Sequence, residues 1–251
     1  MSLETGVSGG VATVTISNPA KRNSMSAAMW RELPGLVGKL ADDPGVRVLV
    51  LAGEGDHFCA GADITELAEI NAAGEANLSA QAEAALAAFP KPTIAAIRGF
   101  CVGGGWQLAG ACDVRFADTG ARFAITPAKI GIVYPPSAIR RLIALVGPAA
   151  AKYLLYSADL IDAGHALRLG FLQEVTDDLA GRVRAYLDVL LSRSQFSHEA
   201  AKDIIDGFVT GTMTEDRLAS WQEGSISGAD AAEGVAAFKE RRPPVFTWTR
   251  P

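Results

Sequence analysis

The sequence predicts an α/β protein with a helical C-terminal tail, and three observations carry that prediction. Through the first two-thirds of the chain, apolar strand-like runs recur, each followed by a loop or a second short run and then a helix-prone stretch. Roughly the last 60 residues carry helical spacing alone. Two small-residue loops, around Gly61 and over Gly103–Gly105, sit where a strand-like run hands over to a helix. The expected division is an α/β core over residues 1–190 and a helical region over 191–251.

The elements follow in order. "GVATVTIS" (Gly10–Ser17) alternates and is rich in Val, Thr and Ile, so it is expected to be a strand. "NPAKRNSMS" (Asn18–Ser26) is turn chemistry, and helical spacing starts near Ala27. "VRVLVLAG" (Val46–Gly53) has the continuous apolar character of a buried strand. After the loop "EGDHFCAGAD", an Ala-rich helical stretch covers Ile64 to Phe89 with an expected interruption near Asn71–Gly74. Pro90 and Pro92 end it. "TIAAIRG" (Thr93–Gly99) is the next strand, and Asp113–Thr126 is expected to give two short strands around a turn at Thr119-Gly120. From Pro135 onward the pattern is helical, with stops expected at Gly147, Gly170 and Gly181. Asp162 is placed as an N-cap ahead of "AGHALRLG", and "LQEVT" is a short late strand. Ala231, Ala232, Val235, Ala236 and Phe238 form an apolar stripe in the tail, suited either to this chain's own core or to a neighbouring subunit.

Composition narrows the function. The 251 residues are 49% apolar, enough for a substantial core. The net charge of −5, without a basic face, disfavours nucleic acid as a partner. No window approaches the roughly 18 uninterrupted apolar residues of a membrane span, and the N-terminus lacks a signal-peptide pattern. The three cysteines, Cys59, Cys101 and Cys112, are an odd number in apolar surroundings, as for small buried hydrophobes in a reducing compartment. A cytoplasmic protein with no nucleic-acid or membrane partner is expected. Metal signatures are absent from the pattern: "HEAAK" at His198 lacks a second histidine and no C-x-x-C pair exists. Phosphate-loop and dinucleotide motifs are missing too, and "GSISG" has Ile226 at its centre rather than a nucleophile.

The two glycine-bearing loops carry the chemistry. "FCAGAD" and "GFCVGGGWQL" each join small residues to the start of a helix, a place where backbone N–H groups have no intrahelical partner. Glycine lets a ligand approach such a backbone closely. Two N–H donors converging on one carbonyl oxygen would form an oxyanion hole. Close packing of a tight turn is the alternative use of the same glycines.

"NPAKRNSMS", "GDHFCAGADI", "KPTIAAIRGFCVGGGWQLAGACD" and "ARFAITPAKIGIVYP" resemble the crotonase superfamily, the enoyl-CoA hydratase/isomerase family, in order and spacing. The likeness covers Val11 to about Gly170 and continues through "AAFKERRPPVF" near the end. It implies a spiral of ββα units with a helical C-terminal trimerisation region, assembled as a homotrimer or a dimer of trimers. It implies an acyl-CoA thioester substrate, with coenzyme A as part of the substrate and no metal or redox cofactor. By the same resemblance, the oxyanion donors are the backbone N–H groups of Ala62 and Gly104. Lys21 and Arg22 match the region near the CoA phosphates, Ala60, Asp63 and Ile64 the segment passing the adenine and pantetheine, and Lys239 a tail position that reaches CoA, in some members a neighbour's.

Two departures from the family pattern bear on the reaction. The hydratases use two glutamates to activate water and deliver a proton. Here the first position is Gln107 and the second falls on Pro127. Neither exchanges protons at neutral pH, so ordinary hydration is not expected. "FAITPAKIGIVYP" is more similar to the methylmalonyl-CoA decarboxylase branch, matching at Thr126, Pro127 and Tyr134. Loss of CO₂ from a malonyl-type thioester generates an enolate without a base. Tyr134 would then either hold the departing carboxylate or form the pocket wall. Some members of that branch carry histidine at the position of Ala62; here His57 lies five residues earlier, and is expected to face solvent or CoA. Asp63 also suits a helix cap, Glu66 is a weaker acid/base candidate, and Trp106 suits either the acyl pocket or the core. An acyl-CoA binder without catalysis, or an isomerase or hydratase with relocated acid/base groups, is the alternative.

Overall fold

The computed structural model describes residues 1–72 and 77–250. Among the described residues, nine strands form two sheets: β1 (Ser2–Ser8), β2 (Val11–Ser17), β3 (Val48–Gly53), β4 (Thr93–Ile97), β5 (Phe100–Val102), β6 (Val114–Asp118), β7 (Arg122–Ala124), β8 (Ile161–Asp162) and β9 (Glu174–Thr176). The larger sheet runs β1-β2-β3-β4-β6-β9 and the smaller β5-β7-β8. β1 and β2 are an antiparallel hairpin; from β2 to β9 the large sheet is parallel. β1 lies in the polar segment "SLETGVS", whose residues other than Leu3 stay exposed, so apolar alternation does not announce it. Its pairing with β2 is what makes it a strand.

β4 and β5 are separated by two residues yet belong to different sheets, and β6 and β7, separated by three across the Thr119-Gly120 turn, do likewise. Each of these two units therefore lays one strand in each sheet before its helix. The helices are α1 (Ala27–Asp42), α2 (Leu67–Ile70), α3 (Leu78–Ala87), α4 (Gly104–Ala111), α5 (Pro127–Ile130), α6 (Pro136–Ser157), α7 (Ala163–Arg168), α8 (Leu179–Leu191), α9 (Gln195–Thr210), α10 (Glu215–Ser227) and α11 (Ala229–Glu240). The expected interruption in the Ala-rich stretch begins at Asn71, which ends α2; Gly74 lies outside the described residues.

Alternation within β3 shows how the large sheet is filled on both faces. Leu49 and Leu51 enter the main core beside α1, while Val48 and Val50 join Ile94, Phe116 and the α8 residues Leu179, Val183 and Leu190 on the other face. A strand covered on both faces has no polar side, hence its unbroken apolar sequence. α1 starts at Ser26, whose side chain accepts from Met29 N, and buries Met29, Trp30, Leu33, Val37 and Leu40 at helical spacing.

Asp162 caps α7 by accepting from His165 N at 2.7 Å. The helical run does stop at Gly147, whose φ 77 and ψ 164 are non-helical and divide α6 into two helical segments, the second starting at Pro148. One expected stop is not a helix end. Gly181 lies in the first turn of α8, where its N–H binds the capping Asp178 Oδ1 at 2.9 Å; a Cβ there would sit 2.1 Å from the same carboxylate. The glycine makes room for the cap rather than ending a helix. In the tail stripe, Val235 and Phe238 are exposed at 56% and 86%, so this face does not pack on the chain's own core. No helix among the described residues is long and apolar enough to cross a membrane.

Candidate active site

The segment after β3 and the segment after β4 are tied together side by side. Cys59 and Cys101 form a parallel bridge, with Cys59 N donating to Phe100 O and Val102 N to Cys59 O, both at 2.9 Å. Beyond the bridge, Met25 N donates to Gly61 O and Asp63 N to Met25 O, which anchors the first segment to the start of α1. Gly61 holds φ 107, a conformation open to glycine, and a Cβ there would lie 3.0 Å from Val102 O and 3.4 Å from Gly104 N. A Cβ on Gly104 would lie 3.3 Å from Ala62 N. Gly105 packs against the Cys59 carbonyl, 2.2 Å from where its Cβ would stand. The glycines thus answer to both uses expected of them: they let two backbones touch, and they leave the Ala62 and Gly104 amides as neighbours. Among the described residues, neither amide donates to a protein acceptor.

Both loops border one cavity of about 340 Å³, with Trp30, Ala60, Gly61, Ala62, Gly103 and Gly104 on that side. Ile64, Leu67, Asn71, Ser79, Gln107, Thr126, Pro127, Lys129, Ile130 and Tyr134 are among the rest of its lining. No carboxylate, imidazole or thiol occurs among the described lining residues; Lys129, exposed, and Tyr134 are the ionisable ones.

Tyr134 is buried and donates its hydroxyl to Gly103 O at 2.9 Å, bracing the turn that presents the Gly104 amide. Its one O–H is directed to the main chain and the residue lines the cavity, the geometry of the pocket-wall alternative. Burial, then the negative charge of Glu83, raises its pKa well above the usual phenol. Gln107 is buried one turn into α4; its Nε2 donates to Ser79 O at 3.2 Å and to Glu83 Oε2 at 3.0 Å.

The remaining expected residues divide. Ala60 and Ile64 line the cavity, Ile64 being two-thirds exposed. Asp63 caps the 3₁₀ turn Ile64–Glu66 through Thr65 N and pairs with Lys21 Nζ. The Lys21 hydrogen bond, then those from Thr65, lower its pKa from 3.8 to about 2. Asp63 is therefore a brace between two loops, with Lys21 half-exposed beside it. Arg22 is exposed and lies over the Phe100 ring, 4.9 Å from its centre. His57 Nδ1 faces Phe100 N at 3.4 Å, away from the cavity lining. Glu66 is spent on α1: its Oε2 accepts from Ala27 N at 2.5 Å and does not line the cavity. Trp106 is core, stacked 3.9 Å from Phe171 and edge-on to Phe123. Lys239 is exposed in the last turn of α11 and is not among the lining residues.

Trp30, Ser79 and Lys129 are lining residues that the sequence does not single out, and neither does it single out Glu83 behind Gln107. A signal for Glu83 exists: it is a single acid on the apolar face of α3, shared with Leu78, Ala82 and Leu86.

Comparison with known proteins agrees with this geometry. The model of the family described as Enoyl-CoA hydratase/isomerase matches residues 6–249. The chain is 33% identical over 243 residues to crotonyl-CoA hydratase of Syntrophomonas wolfei, covering 92% of each, and 31% identical over 242 residues to the short-chain-enoyl-CoA hydratase of Clostridium acetobutylicum, covering 93% of each. A solved structure of an enoyl-CoA hydratase/isomerase family member superposes with a TM-score of 0.95 at 37% identity, over 100% of this chain and 98% of that one. Fold, paired amides and sequence similarity together make the chain a member of the enoyl-CoA hydratase/isomerase family, in the crotonase superfamily.

Proposed function

We propose that this chain decarboxylates a malonyl-type CoA thioester, with the enolate oxygen held by the Ala62 and Gly104 amides. The observation that carries the reading is the pairing of two unpartnered amides with a cavity whose described lining offers no carboxylate or imidazole base. Hydration and isomerisation both need a group that takes or gives a proton at a defined carbon. Decarboxylation does not need one for its first step. The bond from the α-carbon to the carboxylate breaks, its electron pair forms the enolate, and CO₂ leaves. Charge then develops on the thioester oxygen, where two preorganised N–H donors stabilise it most. Thr126, Lys129 and Asn71 are polar side chains of the described lining that would be available to hold the carboxylate before it leaves. The substrate's CoA moiety would follow Ala60 and Ile64 towards Lys21 and Arg22, with Lys239 supplied by a neighbour in a trimer packed through the exposed tail stripe.

The test is incubation with methylmalonyl-CoA, malonyl-CoA and crotonyl-CoA. Release of CO₂ from a malonyl-type ester at an enzymatic rate, on the order of 1–10³ s⁻¹, without hydration of crotonyl-CoA, is expected. Hydration of crotonyl-CoA at such a rate with no decarboxylation overturns the reading. Tight binding of several acyl-CoAs with no turnover would make the chain a binding protein.

A further inference from the structure

Behind the cavity lies a buried carboxylate that is bonded to the lining residue Gln107. Glu83 is 1% exposed. Its Oε1 accepts from Arg141 Nε at 2.9 Å, and its Oε2 accepts from Ser137 Oγ at 2.8 Å and Gln107 Nε2 at 3.0 Å. Paired with a guanidinium and surrounded by donors, it acts as an acceptor only. The second acceptor for Gln107 Nε2, Ser79 O, cannot donate either.

This fixes which way the Gln107 amide faces. Turned over, its oxygen would confront a carboxylate and a carbonyl, two repulsive contacts in place of two hydrogen bonds. Both N–H groups are consumed, so the atom left to the cavity is Oε1. The buried side-chain polar atoms lacking a partner are Trp30 Nε1, Trp106 Nε1 and Asp118 Oδ1 among the described residues. Gln107 Oε1 is not one of them although no donor among the described residues reaches it, so it keeps accessible surface, and Gln107 lines the cavity.

We infer that Glu83 is a positioning residue: it locks Gln107 as a hydrogen-bond acceptor, and Gln107 Oε1 holds the water that protonates the enolate. The inference rests on the reading of this cavity as the site of enolate formation. A carbonyl oxygen one turn along α4 from the Gly104 amide orders a water through one O–H and leaves the other free for the α-carbon. In the step, the enolate electron pair forms the new C–H bond. The water O–H pair stays on oxygen as hydroxide, which leaves to solvent. Because the water is held by one fixed atom, the proton arrives on one face.

The experiment is turnover of methylmalonyl-CoA in D₂O by the full-length protein, with the configuration of the monodeuterated α-carbon of the propionyl-CoA product determined. Wild type is expected to give one configuration in excess by about tenfold, the discrimination that one net hydrogen bond supplies. Glu83→Gln is expected to bring the ratio towards one while CO₂ release falls less than about tenfold. Gln107→Met, which keeps the volume and removes the acceptor, is expected to do the same and serves if Glu83→Gln does not fold. A single configuration that persists in both variants, or a wild-type product without preference, overturns the inference alone. No CO₂ from wild type overturns the decarboxylase reading and this inference with it. A merely structural Glu83 would lower stability and rate and leave the configuration unchanged.

Discussion

Cys59 and Cys101 sit opposite one another in a parallel bridge, and the residue three positions beyond each carries one of the two unpartnered amides, Ala62 and Gly104. Equal offsets from a shared bridge bring the two N–H groups to one place. The site is thus set by strand register, with glycines where the backbones must touch.

The bridge makes a prediction about the thiols themselves. Burial pushes Cys59 and Cys112 up to about 12, and Cys101 well above its usual value. At neutral pH all three are protonated and covered, so a thiol reagent is expected to label none of them in the native protein and all three in denaturant. Rapid native labelling followed by mass spectrometry would contradict this.

Gly104→Ala tests the amide pair. The new Cβ would lie 2.7 Å from Trp30 Cζ2, and Trp30 is fully buried, so the turn has to move. A stability loss of about 1–3 kcal/mol is expected from the overpacking. Displacing one oxyanion donor should lower turnover by about 10²–10³. Unchanged kcat in a variant with a lowered Tm would separate Gly104 from the chemistry.

Tyr134→Phe removes the hydrogen bond to Gly103 O and nothing else the structure shows. The expected cost is about 1 kcal/mol of stability with turnover reduced less than about tenfold. A thousandfold loss of decarboxylation at unchanged stability would mean that the hydroxyl leaves Gly103 for the substrate.

Asp63→Asn addresses pH. The carboxyl is held at about 2 against an ordinary 3.8, so the folded state favours the ionised form. Its contribution is fully present above about pH 4 and disappears as pH falls towards 2. Melting temperatures between pH 4 and 2 should fall more steeply for wild type than for Asp63→Asn. Parallel curves would show that the Lys21 pairing does not act on stability.

The chain order of strands and helices was legible because burial imposes periods on sequence: Ala12, Val14 and Ile16 alternate inward, and β3 is apolar throughout because both of its faces are covered. The same reading placed the loops that carry Ala62 and Gly104, since turns and close approach demand glycine. It did not reach β1, a polar strand made by its partner, nor the fate of Glu66, Trp106 and Tyr134. A side chain's type shows what it can bond, and only its neighbours decide what it does bond.

From the sequence came an α/β core with a helical tail, two glycine turns suited to freeing backbone amides or to close packing, and, through the family resemblance, Gln107 and Pro127 in place of both glutamates. Only the tertiary structure decided that those amides are neighbours, that Tyr134 braces Gly103, and that Glu83, 24 residues from Gln107 in the chain, fixes the amide's orientation. Register between distant strands and the competition among donors for one acceptor are three-dimensional quantities, and local spacing carries no record of them.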